Sequence, residues 1–205
     1  MPFISNFKKV EDVADKFGIK IGMGHFIDTL DIKVSESKLA EIRNAFDDSM
    51  NFVNEVAVCE MIIRPILNVV DNQYERLHIW PRVEYNVDPA NDLVGRPDYL
   101  IAARTPSGRM TLPPLCIMEA KQEKIEEDWA QALAEMYAAS TQGAETSYGV
   151  VTTGKAWEFG KLENGKVFIR DPNQISATMS LQTVLNTLNW LFNETNNIIQ
   201  DSTTT

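Results

Sequence analysis

Cysteine and histidine are scarce in this chain, two of each among 205 residues, and neither pair has the spacing of zinc ligands. Cys59 and Cys116 sit inside apolar runs, where a thiol behaves as a small buried hydrophobe. His25 and His78 stand alone and read as a turn residue or the edge of a core. Long apolar runs are missing as well. The stretch from Met61 to Val70 is interrupted by Arg64 and Pro65, well short of the ~18 residues that a bilayer crossing needs. The first twenty residues scatter their charges where a secretory leader would be continuously apolar, so a cytoplasmic setting is expected. Positive charge is short too: 19 Lys and Arg face 29 Asp and Glu, for a formal charge of −10. Affinity for DNA comes largely from cations that neutralise phosphates. The deficit therefore argues against tight, autonomous DNA binding, yet it suits a carboxylate-rich cleft holding a metal, with a partner protein supplying basic surface.

What remains, 44% hydrophobic and 23% charged with only 10 Gly and 9 Pro, is the composition of an ordinary packed domain. Residues 1–34 read as an N-terminal extension packed on the core, with a helix-like stretch from Asn6 to Phe17 and a loop at Gly22-Met23-Gly24. That loop lacks the spacing and the Lys-Ser/Thr of a phosphate-binding P-loop. From Ser35, apolar residues at Leu39, Ile42, Ala45 and Phe46, then Phe52, Val56, Cys59, Ile62, Ile63 and Leu67, predict one or two helices ending between Pro65 and Asp71. Asp47-Asp48 marks a solvated face or the break between them. Short extended pieces follow, at Arg76 to Val83 or beyond, Tyr99 to Ala103 and Leu115 to Ala120, separated by turn-rich segments and expected to form a three-stranded meander. Glu123 to Thr141 predicts a helix and Tyr148 to Thr152 a strand. Trp157 to Leu162 and Val167 to Arg170 predict a hairpin across Asn164-Gly165. An amphipathic helix is expected within 171–200, and 201–205 as a tail.

Chemistry concentrates where the apolar run Leu115 to Met118 ends in Glu119-Ala120-Lys121. Side chains alternate along a strand, so Glu119 and Lys121 share a face. Half-burying such groups costs several kcal/mol unless they are paired, hydrogen-bonded or metal-bound. Asp98 opens the preceding strand, and antiparallel pairing would bring it beside Glu119. Two adjacent carboxylates repel, and hard oxygen donors favour Mg2+ or Mn2+ over zinc as the cation that relieves the repulsion. Lys121 would hold or deprotonate a metal-bound water or neutralise a developing phosphorane. The competing structural explanation is an edge ion pair of Glu119 with Lys121 and a turn cap at Asp98.

Pro97-Asp98 followed by Glu119-Ala120-Lys121 resembles the motif of the PD-(D/E)xK nuclease superfamily, and five pieces between residues 35 and 170 resemble the nuclease domain of type I restriction endonuclease motor subunits. Asn54-Glu55 with Ile62 to Leu67 resembles that family's metal-reaching helix. Arg96 to Ile101 and Ile117 to Lys121 resemble its two motif strands. Gln131 and Tyr137 resemble residues of its next helix, and Tyr148 to Phe159 its closing strand and hairpin. The resemblance implies an α/β, restriction-endonuclease-like αβββαβ core with a mixed central sheet, extended here by a β-hairpin and a C-terminal helix. It also implies a Mg2+ site and endonucleolytic cleavage of DNA in a restriction, repair or mobile-element setting. On that resemblance Asp98, Glu119 and Glu55 are metal ligands, Lys121 acts on water or the transition state, and Gln131 positions it; Glu60 is the alternative to Glu55. No part of the chain resembles a helicase motor. Two other classes remain open: a non-catalytic binding or assembly module of the same fold, which the acidic balance suits, and an acidic mimic of nucleic acid.

Overall fold

A computed structural model of the chain describes residues 7–120 and 125–202. Helix α1 (Val10–Phe17) ends at Gly18, and the chain enters strand β1 (Lys20–Met23). Gly22 and Met23, part of the expected loop, thus belong to the sheet. Ser35 caps α2 (Glu36–Asp47) by accepting from the Lys38 N–H, and Asp48 ends it. After a 3-10 turn, Asn54 caps α3 (Glu55–Val58) through a bond from the Ala57 N–H. The helix then widens into a π segment (Cys59–Ile63) and continues as α4 (Arg64–Asp71). The widening has a local cause. Pro65 brings no N–H to the ladder, and the Arg64 N–H just before it bonds five residues back to the Cys59 carbonyl, so the proline is absorbed without breaking the helix.

Strand β2 (Leu77–Pro81) leads into a small hairpin, β3 (Tyr85–Asp88) and β4 (Leu93–Gly95), which forms a separate two-stranded sheet. Of the turn residues Asp88 to Asn91, Asp88 closes β3 and Pro89 to Asn91 fall between the two strands. Then come β5 (Tyr99–Ala103), β6 (Cys116–Ala120), α5 (Ile125–Thr141), β7 (Thr146–Thr152), β8 (Ala156–Glu163), β9 (Val167–Arg170), the short β10 (Ile175–Ser176) and α6 (Ala177–Ser202). Asn164 and Gly165 both take positive φ, 51° and 63°, as the expected two-residue hairpin turn requires. α6 is irregular at Ser180 (φ −146°, ψ 61°). It runs on through Ser202, so residues 201–202 are helical and not a tail; residues 203–205 lie outside the described residues.

The main sheet has the order β1-β9-β8-β7-β6-β5-β2, with β10 beside β8. β2, β5 and β6 form an antiparallel meander, as expected, and β7 returns parallel to β6 after α5. β1 is added parallel to β9 at the far edge. The protein is therefore mixed α/β with a mixed central sheet and a C-terminal helix. The alternation of β5 and β6 sorts the core into two layers. Tyr99, Ile101, Cys116 and Met118 pack with α2 to α4 and α6, whereas Leu100 and Ile117 pack with α1, α5 and the β3–β4 hairpin. Both cysteines are buried and free. Tyr137 stacks on Phe17, ring centroids 4.2 Å apart, and pins α1 to α5. Among the described residues no helix is long and apolar enough to cross a membrane.

Candidate functional site

The β5–β6 register pairs Tyr99 with Met118 and Leu100 with Ile117. Continued by one residue, it sets Asp98 opposite Glu119, and the Ala120 N–H donates to Asp98 Oδ2 at 3.0 Å. Residues facing one another across an antiparallel pair point to the same side. Both carboxylates accordingly share the α5 side with Leu100 and Ile117. Both are buried, at 7% and 1% exposure, which is unusual for two acids on adjacent strands. Lys121 lies outside the described residues.

α5 supplies the next shell of contacts. Gln131 Nε2 donates to Glu119 Oε1 at 2.9 Å and to Glu135 Oε1 at 3.4 Å, so one amide spans two buried acids. Asp128, Gln131 and Glu135 fall at i, i+3 and i+7 and therefore on one helical face. This polar stripe runs through a helix otherwise buried by Trp129, Ala130, Leu133, Ala134 and Met136. Gly95 of β4 packs so close to Glu135 that a Cβ there would collide with the carboxylate. Glu135 in turn helps, after burial, to raise the pKa of the Tyr85 hydroxyl.

On the other flank stands Arg82, a non-glycine residue with φ of +48°. Its N–H donates to the Asp98 carbonyl at 3.1 Å and its Nε lies 3.6 Å from Asp98 Oδ1. Arg96 Nε donates to the Arg82 carbonyl at 2.8 Å and holds this corner closed. Burial works to lower the Arg82 pKa, but contacts with Cys59 and Asp98 outweigh it and the net shift is upward. Cys59 is raised to about 12, first by burial and then by Asp98, with Glu55 adding in the same sense and Arg82 opposing.

Of the sequence-predicted site residues, Asp98, Glu119 and Gln131 come together. Glu55 does not join them. It opens α3, and its charge, like that of Asp98, reaches Cys59. Glu60 lies on the exposed side of the π segment. Among the described residues no three Asp, Glu, His or Cys side chains form a group able to hold a metal ion. The donors available are thus two carboxylates, and Mg2+ is commonly held by one or two carboxylates together with water and substrate phosphate.

Arg82 and Glu135 were not foreseen. The signal for Glu135 was its i+4 spacing from Gln131. For Arg82 it would have been the β2–β5 register, in which Pro81 pairs with Tyr99 and the next step sets Arg82 opposite Asp98. Of the other expectations, His25 is exposed and lies 3.2 Å from Asn173, and His78 flanks Trp80 edge-on at 6.5 Å. Comparison with protein-family models and with curated proteins returns no match.

Proposed function

We propose that the chain is a Mg2+- or Mn2+-dependent nuclease with a PD-(D/E)xK-type site on a restriction-endonuclease-like core, cleaving phosphodiester bonds of DNA. One observation carries this reading. Two buried carboxylates, Asp98 and Glu119, occupy facing positions at the ends of adjacent antiparallel strands. Their mutual repulsion and desolvation cost several kcal/mol unless something cationic compensates, and their hard oxygen donors suit a divalent ion of the magnesium class. The order of helix, three-stranded meander, crossover helix and parallel strand supports the same reading.

The side chains would divide the work as follows. Asp98, fixed by the Ala120 N–H, and Glu119, fixed by Gln131, hold the cation, and Gln131 keeps the Glu119 carboxylate from rotating. A cation bound there supplies an acidified water and neutralises charge gathering on the scissile phosphate. Lys121, two residues along from Glu119, is the proposed proton acceptor or stabiliser of the phosphorane oxygens. Glu55 is the proposed more distant carboxylate, acting through water. Burial by α5 and the β3–β4 hairpin keeps bulk water from competing.

A second reading, a non-catalytic module of the same fold that binds nucleic acid or protein, is favoured by Arg82. An arginine 3.6 Å from Asp98 neutralises one of the two acids without a metal. Plasmid cleavage with Mg2+ or Mn2+ separates the two. The nuclease reading expects Asp98→Asn, Glu119→Gln and Lys121→Ala each to lower the rate by about 10²- to 10⁴-fold while circular dichroism stays unchanged. Equal rates in wild type and Lys121→Ala would remove the catalytic assignment.

A further inference from the structure

We infer that the outer end of β2 and β5 is an anchoring site for a phosphodiester backbone, held by Arg76 and Arg104 in an open cleft of about 690 Å³. The identity of the anion rests on the nuclease reading; the site rests on the following observations.

Leu77 of β2 pairs with Ala103 of β5, so the next step of the register sets Arg76 opposite Arg104 at the edge of the sheet. Both are exposed, and among the described residues neither makes an ion pair or a side-chain hydrogen bond. Two cations at facing strand positions repel. The cleft they line also carries His78 and Thr105, with Glu75 as its one carboxylate among the described residues. The loop beyond it folds back through an Arg104–Met110 bridge and a bond from the Thr105 N–H to the Arg109 carbonyl, which returns a third arginine to the same end of the sheet.

The choice of cation matters. Between Leu39 and Ala120 the chain has seven cationic residues, all arginine, whereas lysine outnumbers arginine elsewhere. Arginine's planar fork matches two phosphate oxygens at once, which a lysine ammonium does not. Against a formal charge of −10, a cluster of unpaired arginines is where a polyanion approaching this protein is least repelled.

Position along the strand gives the site its relation to Asp98. β2 is entered at Arg76 and left at Arg82 beside Asp98, six residues away, or ~20 Å at the rise of an extended strand. That is about six base steps at 3.4 Å. A duplex lying along this edge is gripped about half a helical turn from the candidate active site.

Fluorescence anisotropy with a labelled duplex of about 20 base pairs, read across a salt series on the full chain, tests the assignment. Arg76→Ala/Arg104→Ala is compared with wild type and with Arg43→Ala on α2. Loss of two phosphate contacts lowers the slope of log affinity against log salt by about 2 and weakens binding roughly 30-fold near 0.15 M salt; Arg43→Ala changes neither. An unchanged slope in the double variant overturns the inference and leaves the nuclease reading intact. Arginine-dependent binding with no plasmid cleavage leaves the anchor standing and removes the catalytic reading. Absence of DNA binding by wild type, or binding of inorganic phosphate alone at these arginines, overturns the anchor.

Discussion

At the level of single residues, the candidate site is decided by how buried acids are held. Glu119 and Glu135 are both almost fully buried, and both accept from the same Gln131 amide. Gly95 makes this possible by leaving room for the Glu135 carboxylate. Gly95→Ala should therefore act at a distance. The new methyl displaces Glu135, Gln131 loses one acceptor, and Glu119 loses its fixed orientation. The expected result is a loss of about 1–3 kcal/mol in urea denaturation, and, on the nuclease reading, a 10- to 100-fold loss of activity through a residue that touches no substrate. Gly24→Ala, with only an ordinary contact to Ile169, is the control and should change little. Gln131 was identifiable from the sequence through its resemblance to a nuclease helix, and Glu135 stood four residues away unremarked. A glutamate on a helix is nearly always a solvated residue, and nothing in a one-dimensional pattern says that a glycine from another hairpin will pack over it.

At the level of elements, α5 is tied to the sheet by a polar cluster at the end away from that hairpin. Trp129 Nε1 of α5 donates to Glu158 of β8 at 2.9 Å, and Arg170 of β9 reaches Glu158 at 2.8 Å and Glu126 at 3.0 Å. Gln174 adds a further bond to Glu158. Burial raises the Glu158 pKa, but the bonds from Trp129, Arg170 and Gln174 outweigh it and the net shift is downward. A carboxylate lowered by folding contributes stability above its unfolded pKa and loses it as pH falls through the folded value. Glu158→Gln should thus destabilise the protein by about 1.5–3 kcal/mol at pH 7, with the gap closing as pH drops below the normal carboxylate range. Urea midpoints of both proteins from neutral pH down to pH ~3.5 check this; a gap independent of pH would mean that the bonds to Glu158 do not depend on its charge. Most of these elements were legible beforehand, because α5, β7 and the β8–β9 hairpin announce themselves through period and turn chemistry. The β3–β4 hairpin was not. Its strands are four and three residues long and are stabilised by docking Tyr85 and Leu93 on α5, a tertiary effect that overrides weak local preference. β1 escaped for a related reason: it is held by pairing with β9, nearly 150 residues later.

At the level of the whole molecule, the charge balance sets the conditions under which two buried acids can persist. A chain at −10 gains nothing electrostatically from placing Asp98 and Glu119 side by side, and Arg82 stands against the first. Without a divalent cation, Glu119→Gln should therefore equal or exceed wild type in thermal stability, since glutamine keeps an acceptor for Gln131 while removing one buried charge. With the cation the order should reverse. A ligand present at 100 times its dissociation constant stabilises the folded state by about 2.7 kcal/mol, which for a protein of this size raises the melting temperature by roughly 5–10 °C. Wild type should show that rise in Mg2+ or Mn2+, lose it on chelation, and cross the curve of the variant, which shows no rise. Ca2+ with its larger coordination shell serves as the comparison ion. A wild-type protein whose melting temperature ignores all three ions would mean that the protein's own groups, Arg82 among them, neutralise the pair. The Asp98–Glu119 corner would then be a structural ion pair on the same fold, with the arginines at the far end of β2 as its remaining means of engaging nucleic acid.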